Sequence, residues 1–299
     1  MRTDTQTENL YEKERRENRR KMRRDFWRRF KKNKSAVFGL IVISILILCA
    51  VFANLISPSE FVTKQNPSIR LQPPSAEHWF GTDTYGRDVF TRIIYGSRIS
   101  LSIGIGSSIF CLVFGGFFGA ATAYFGGKFD DIVMRVMDMI MAIPATLLAL
   151  SIVAALGASM VNLALAVSIS YTPRFIRLVR ACVLPIVGMD YVEAARAYGS
   201  KNFRIIFKEI IPNAIGPIIV ETTQSLSGMI LEASGLSYIG MGVQAPQPEW
   251  GAMLSEAREV MRTQPYLIVI PGVFLILAAL STNLLGDGLR DTIDPRLKS

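Results

Sequence analysis

The sequence is poor in the residue types that build catalytic and metal centres. Its 299 residues include a single histidine, His78, and three cysteines that show no paired spacing. A zinc or iron site therefore has nothing to be built from. The sequence also has no GxxxxGK[ST] segment, the Gly-rich loop that binds nucleotide phosphates. The chain is therefore not expected to be an enzyme that hydrolyses ATP.

Charged residues are also scarce, at 19% of the chain, whereas half of the residues are apolar. Runs with little or no charge cover residues 36–56, 99–125, 139–173, 214–231 and 266–286. A helix needs roughly 20 residues to cross the hydrocarbon of a bilayer. The 139–173 run is too long for one crossing and divides at residues 157–159, one span reaching back to about Ile132 and the next forward to about Val179. The sequence therefore predicts an all-α integral membrane protein with six transmembrane helices, since a soluble core does not explain such repeated runs.

The distribution of basic residues predicts the orientation, because Lys and Arg are retained on the cytoplasmic side. Of the 33 basic residues, 26 lie in residues 1–35, 126–138, 174–213 and 287–299, and the first of these segments carries 14. Both termini are therefore expected to face the cytoplasm. A nucleic-acid-binding arm is the rival interpretation of residues 1–35. Their position directly before a span favours an anchor on anionic lipid instead.

A second polar region follows the first span, in the external loop. Gly81, Gly86 and Gly96 permit tight turns. The charged residues of this loop, Asp83, Arg87, Asp88 and Arg92, offer charge-assisted pairs that would fix it to the helices beneath. A catalytic role for the acids is the alternative, but nothing nearby supplies a nucleophile or a metal, which favours a structural role.

Three residues inside the predicted spans are candidates for lining a pathway. Glu221 lies about seven residues into the fifth span, where a carboxylate in lipid is costly and should face a partner or water. Its alternative role is a hydrogen-bonded contact between helices. Met137 and Met141 lie at helical spacing and form a flexible apolar face, for which gap-filling core packing is the alternative.

Glycine and proline predict how the spans pack and bend. Gly115 and Gly119 form a GxxxG pair, which lets two helices approach closely. Pro144 and Pro173 are expected to bend or end their helices.

Residues 190–213 predict a helix, a glycine elbow and a second helix on the cytoplasmic side. Tyr191, Ala194, Ala195 and Tyr198 have the spacing of one helix face. Asp190 is the predicted N-cap, and Gly199 has the position of a left-handed C-terminal residue. The second helix has an apolar stripe at residues 203, 206, 207 and 210, suits the membrane surface, and is expected to end at Pro212.

This segment resembles the EAA loop of ABC-importer permeases. The matching residues are Glu193, Ala194 and Ala195, then Gly199 six residues after the glutamate, then Pro212 thirteen residues after the glycine. The chain departs from the usual loop at Glu209 and Ile211, where that family has Ile and Leu.

A second resemblance is to the C-type permease subunit of dipeptide and oligopeptide importers, in the stretches FWRRFKKNKSAVFGLIV before the first span and HWFGTDTYGRDVFTRIIYGSRISL after it. The motif residues that match are Gly81, Thr82, Asp83, Gly86, Arg87, Asp88, Arg92, Gly96 and Arg98. Together the two resemblances cover nearly the whole chain after Asp25.

The resemblance implies a type I ABC-importer permease fold and a role in moving di- or oligopeptides across the membrane by alternating access. It implies a basic N-terminal segment at 1–35, a first span and external loop at 36–98, a permease core at 99–288 with its EAA loop at 188–213, and a tail at 289–299. The residues implied in ATPase coupling are Tyr191, Glu193, Ala194, Ala195, Tyr198, Gly199 and Pro212.

The resemblance also implies the partners and the location. These are a homologous second permease, two ATP-binding subunits that hold the ATP and Mg²⁺, an extracytoplasmic substrate-binding protein, and a bacterial or archaeal plasma membrane. This chain would itself hold no cofactor and contact no nucleic acid. Two alternatives remain: the same architecture importing nickel or another small cargo, and a membrane scaffold or enzyme without transport.

Overall fold

The computed structural model describes residue 17, residues 20–21 and residues 24–293. Over these residues the chain is helical, and it forms no β-strand beyond an isolated bridge between Thr82 and Asp88. The helices in chain order are α1 (24–32), α2 (Lys34–Val51), α3 (Ala53–Ile56), α4 (Glu60–Thr63), α5 (Val89–Phe110), α6 (Gly116–Phe125), α7 (Gly127–Met141), α8 (Ala145–Leu156), α9 (Met160–Val187), α10 (Asp190–Ala197), α11 (Asn202–Arg204), α12 (Ile211–Tyr238), α13 (Trp250–Glu256) and α14 (Tyr266–Ile293).

Three helices among the described residues are long and apolar enough to cross a membrane by themselves. They are α2, the continuous α5–α6 unit and α14. The pair α7 and α8 is apolar enough for a fourth crossing if the two helices together form one span, and it is bent by 83°. The helices α9 and α12, with 28 residues each, are as long as α14 but less apolar.

Several span boundaries differ from the sequence prediction. The first long helix ends at Val51, and only the short α3 continues to Ile56. The second begins at Val89, ten residues before the predicted start, and α9 runs to Val187, eight residues beyond the predicted end at about Val179. Charged side chains within a helix cannot be distinguished by composition from a charged loop, which explains these errors.

The two prolines behave differently. Pro144 lies at the 83° break and is the N-cap of α8, as predicted. Pro173 lies inside α9 and does not end it. Of the two predicted effects of Pro173, bending or ending the helix, the second was therefore wrong. Hydrogen bonds from neighbouring turns and tertiary packing keep a long helix continuous past one missing N–H group.

The GxxxG pair allows α6 and the segment before it to pack closely against α9. A Cβ atom at Gly119 would lie 2.6 Å from the carbonyl oxygen of Ile176 and 2.7 Å from the Cβ atom of Val179. A Cβ atom at Gly115 would lie 2.7 Å from the ring of Phe175. Only glycine fits at both positions, so the motif does mark a helix contact.

Four charged side chains form one buried network beside the loop that precedes α5. Arg87 donates to the Asp83 carboxylate at 2.6 Å and to the Glu256 carboxylate at 2.5 Å, and Arg92 donates to Glu256 at 3.0 Å. Both arginine side chains are only 1% exposed. Two cations and two anions compensate one another, which a buried charge requires. The network fixes this loop to α5 and α13.

The other motif residues of this loop shape its turns. Gly81 and Gly86 have φ values of +74° and +70°, a conformation that side chains with a Cβ atom rarely adopt. Thr82 is buried and its hydroxyl accepts from the N–H of Gln72 at 2.9 Å. Asp88 is the N-cap of α5 and accepts from the N–H of Thr91 at 2.7 Å.

Residues 96 and 98 connect α5 to its neighbours. The indole of Trp250 lies over Gly96, where a Cβ atom would be 3.0 Å from the ring. Arg98 donates to the carbonyl oxygens of Ala50 and Val51, at 2.8 and 3.2 Å. These carbonyls have no partner inside α2 because the helix ends there, so Arg98 caps it.

The close contact at Gly119 can be tested by overpacking. We expect Gly119→Val to lower the stability of the purified protein by about 1–3 kcal/mol, because the valine side chain would push α9 away. The midpoint of thermal unfolding in detergent, followed by intrinsic fluorescence, measures the change.

Gly116→Val is the matched control, since no atom lies within 4 Å of a Cβ atom at Gly116. It places the same residue in the same helix. Equal midpoints for the two variants would contradict the contact.

Candidate functional site

The short helix α10 begins one residue earlier than predicted, because Asp190 was predicted to be its N-cap. Asp190 is its first residue, and Met189 is the N-cap, without a side-chain hydrogen bond. The Asp190 cap was therefore wrong. Asp190 still stabilises the helix, because a carboxylate in the first turn interacts favourably with the helix dipole.

Gly199 ends α10 as predicted. Its φ is +73°, in the left-handed region. Two reverse hydrogen bonds surround it, from the N–H of Ser200 to the Ala195 oxygen at 3.1 Å and from the N–H of Gly199 to the Arg196 oxygen at 2.9 Å. This is a Schellman motif, which satisfies the free carbonyls of a helix end and reverses the chain. The left-handed conformation of Gly199 and these two hydrogen bonds therefore produce the elbow.

The predicted face of α10 points away from the rest of the chain. Tyr198 is 90% exposed and Tyr191 is 39% exposed, and Ala194 is exposed between them. Val192 is fully buried and Ala195 is half-buried against the same core. The helix is thus held by its Val192 side, and its tyrosine side is free to contact another molecule.

Tyr124, at the end of α6, holds both sides of the elbow. The guanidinium of Arg196 lies 4.5 Å from the centroid of its ring, a cation–π contact. Its hydroxyl donates to Asn202 at 2.9 Å. No local pattern indicated this role, because Tyr124 is one aromatic residue among several at the end of an apolar run.

The second helix of the elbow continues without a break into α12. Residues 205–210 are π-helical, and the N–H of Ile211 bonds to the oxygen of Ile206. Pro212 then lies in the first turn of α12. The prediction that Pro212 ends this helix was therefore wrong. The wider π turn accommodates the ring and the missing N–H group.

The predicted apolar stripe of this helix divides into two faces. Ile206 and Ile210 are buried with Ile205 in the core. Phe203 and Phe207 are exposed and stack on each other, with ring centroids 4.4 Å apart. One face thus anchors the elbow and the other suits a membrane surface.

Ion pairs rather than apolar contacts hold α7 against α9. Arg180 donates to both carboxylate oxygens of Asp130, at 2.7 and 2.5 Å, and Arg177 pairs with Asp138. Asp130 is the only buried residue of α7. The apolar side chains of α7 are therefore exposed or only half-buried.

The three predicted pathway residues line three different cavities. Glu221 lines one of about 400 Å³ between α9, α12 and α14, together with Gln224 and Arg290. Met137 lines an apolar cavity of about 380 Å³ beside Phe110 and Phe114, and Met141 lines one of about 240 Å³ at the break between α7 and α8. They do not form one site.

Two further ionisable residues inside helices were missed. Glu232 lies within α12, which extends seven residues beyond the predicted end of that span, at residue 231, and its Oε1 atom is buried without a hydrogen-bond partner among the described residues. Arg174 lies near the centre of α9. The correct length of α12 would have revealed Glu232, whereas Arg174 already lay inside the predicted fourth span, which reached about Val179.

Comparison with known proteins shows what the chain is similar to. Residues 112–299 match the family model described as binding-protein-dependent transport system inner membrane component. Residues 21–74 match the N-terminal TM domain of oligopeptide transport permease C.

Curated relatives cover almost the whole chain. The dipeptide transport system permease protein DppC of Alkalihalophilus pseudofirmus is 46% identical and aligns over 92% of this chain and 90% of that protein. The glutathione transport system permease protein GsiD of Pectobacterium atrosepticum is 40% identical over 92% of each.

A solved structure has the same fold. It is an inward-facing conformation of the MetNI methionine ABC transporter, and the likeness has a TM-score of 0.56 at 17% identity, covering 68% of this chain and 97% of that one.

The anchoring by Tyr124 generates a prediction for the mobility of α10. Tyr124→Phe removes the hydrogen bond to Asn202, worth about 1 kcal/mol, so amide exchange over residues 190–204 should accelerate roughly fivefold. Tyr124→Leu also removes the cation–π contact and should accelerate exchange further. Hydrogen–deuterium exchange followed by mass spectrometry measures both.

Tyr95→Phe is the control, because the hydroxyl of Tyr95 donates to Asn54 and to the Ser57 oxygen, remote from α10. Unchanged exchange over residues 190–204 in both Tyr124 variants would show that the ring does not anchor the elbow.

Proposed function

Because the chain belongs to the family of binding-protein-dependent transport system inner membrane components, the membrane permeases of ABC importers, we propose that it is one of two permease subunits in a peptide importer. The other subunits are a homologous permease, two ATP-binding subunits and an extracytoplasmic binding protein that delivers the peptide. Peptides then cross the membrane by alternating access.

The proposed topology has six spans with both termini in the cytoplasm. In this arrangement α2, α5–α6 and α14 are three spans, the bent pair α7 and α8 is another, and α9 and α12 are the remaining two. The cytoplasmic excess of basic residues supports it. The membrane is the plasma membrane of a bacterium or archaeon. The basic segment 1–35, the loop region 36–98, the core 99–288 and the tail 289–299 then form the domain organisation.

We assign ATPase coupling to the free face of α10. A helix that is anchored through Val192 and leaves Tyr191, Ala194 and Tyr198 uncovered suits a groove on another protein, with the tyrosines as anchors. Tyr198, 90% exposed at the end of a rigid helix, is the observation that carries this assignment. Glu193 is exposed on the same helix.

In this proposal the partner subunits bind ATP and Mg²⁺ and hydrolyse the ATP. This chain catalyses no reaction and instead changes conformation in response. Closure of the two ATP-binding subunits would displace α10. Tyr124 fixes α10 to α6, and Val192 is buried in the core cluster that α6 and α9 share. The chain after Gly199 continues through α11 and residues 205–210 into α12, so the displacement reaches three membrane helices together.

The cargo favoured by the relatives is a peptide. Those reported above are named for dipeptides and for glutathione, which is itself a tripeptide. The same architecture with nickel as cargo, and a scaffold without transport, have no such support.

Uptake by cells tests the proposal. A strain that lacks the importer, complemented with the complete system, should accumulate radiolabelled dipeptide and not ⁶³Ni²⁺. Accumulation of nickel alone, or of neither, would overturn the proposed cargo.

The elbow provides the mechanistic test. Gly199→Val forces a branched side chain into the left-handed region, at a cost of about 1–2 kcal/mol or more. A Cβ atom there meets nothing within 4 Å, so the cost is purely conformational. We expect dipeptide uptake to fall by roughly an order of magnitude while membrane insertion stays normal.

Gly188→Val is the matched control at the other end of α10, because Gly188 has a φ of −89° and equally open surroundings. Normal uptake by Gly199→Val would contradict a role for the elbow.

A further inference from the structure

The arginines in the second half of α9 differ in their partners. Arg177 and Arg180 pair with Asp138 and Asp130 of α7. Arg174, one turn earlier, makes no ion pair or hydrogen bond with any residue that the structure describes. It lies 14 residues after the first and 13 before the last residue of α9. An unpaired cation this far inside a membrane helix is costly and therefore points to a function.

Arg174 lines the cavity of about 240 Å³ at the break between α7 and α8. The space is far larger than the ~30 Å³ that one water molecule occupies. Tyr171 lies one turn away and lines the same cavity, and its hydroxyl has no hydrogen-bond partner among the described residues. The remaining walls are mostly apolar, with Ile140, Ile143 and Leu148. The cavity thus combines the guanidinium of Arg174 and the hydroxyls of Tyr171 and Ser170 with apolar surroundings, and the Ser170 hydroxyl already donates to the Ala166 oxygen.

The neighbouring groups leave this cation available. Ala145, the first residue of α8, also lines the cavity, and the N–H groups at a helix start carry partial positive charge. Glu232 and Arg174 both lie near Tyr171, but they form no ion pair with each other. No carboxylate among the described residues forms an ion pair with Arg174.

Given the proposed peptide-import function, on which this inference rests, we propose that the cavity binds the C-terminal carboxylate of a peptide in transit. Arg174 is its charged partner and Tyr171 donates a hydrogen bond. A guanidinium binds a carboxylate through two parallel N–H groups. Every unmodified linear peptide carries this carboxylate, whereas the apolar walls accept a terminal side chain without selecting it.

A lipid phosphate shares the anionic chemistry of a peptide carboxylate. The apolar side chains that line most of the cavity suit the terminal side chain of a peptide, whereas a phosphate headgroup offers nothing to occupy them. The transported peptide is therefore the favoured source of the anion.

Reconstitution of the complete importer tests the proposal. Proteoliposomes with saturating binding protein are supplied with radiolabelled dialanine, and uptake and ATP hydrolysis are measured together. For Arg174→Gln we expect roughly tenfold less peptide per ATP hydrolysed, the loss expected from one charge-assisted pair, with normal stimulation of ATPase activity. Arg174→Lys should retain much of the uptake, and Tyr171→Phe should show a smaller loss.

Arg262→Gln, which removes an exposed arginine outside the long helices, is the charge-matched control. Wild-type uptake per ATP in Arg174→Gln would overturn the inference. A parallel loss of subunit co-purification would also overturn it, by assigning Arg174 to an ion pair with a partner chain. A defect seen only in liposomes with anionic lipid would assign the cation to a headgroup. Absence of dialanine uptake by the wild-type importer would instead refute the proposed function.

Discussion

The attachment of α10 to the membrane helices depends on one buried valine and one aromatic ring. Val192 is fully enclosed, and Tyr124 both receives the guanidinium of Arg196 and bonds to Asn202 across the elbow. Because these contacts lie on opposite sides of Gly199, the helix and the chain that follows it are fixed as one body. A face that is uncovered on a fixed helix can transmit force, whereas the same face on a flexible loop cannot.

The charged side chains inside the protein form two groups. Those of the first group pair with an opposite charge, and those of the second pair with none among the described residues. Asp83, Arg87, Arg92 and Glu256 form a closed network between the loop before α5, α5 and α13, and α7 is held by two ion pairs. The buried network maintains the architecture, because breaking a buried pair leaves an isolated ion at high cost. Arg174 and Glu221 instead line cavities. Such side chains are expected where a polar molecule passes.

Local signals in the sequence predicted local structure well. Gly199 is left-handed and Pro144 breaks a span, because each depends on residues within one or two turns. The GxxxG pair indicated a helix contact but not its partner, since Gly115 and Gly119 meet residues of the distant helix α9. The partner of Arg87 could not be predicted, since Glu256 lies 169 residues away. The extension of α9 beyond Val179 was also inaccessible, because the bidentate pair of Arg180 with Asp130 joins residues that are 50 positions apart. Similarly, Pro212 looks like a helix end until the π turn before it is known.

The rigidity of the unit formed by α6, α9 and α10 is the central claim, and a distance measurement tests it directly. Spin labels at Val113, before α6, and at Ala197, the last residue of α10, are both exposed, and Cys49, Cys111 and Cys182 would first be replaced. Double electron–electron resonance then compares the nucleotide-free and ATP-bound importer, with a label on the ATP-binding partner as a positive control for closure. The account predicts that the distance between Val113 and Ala197 is the same in both states. A shift of about 5 Å, one helical turn, while the control shows closure would contradict it.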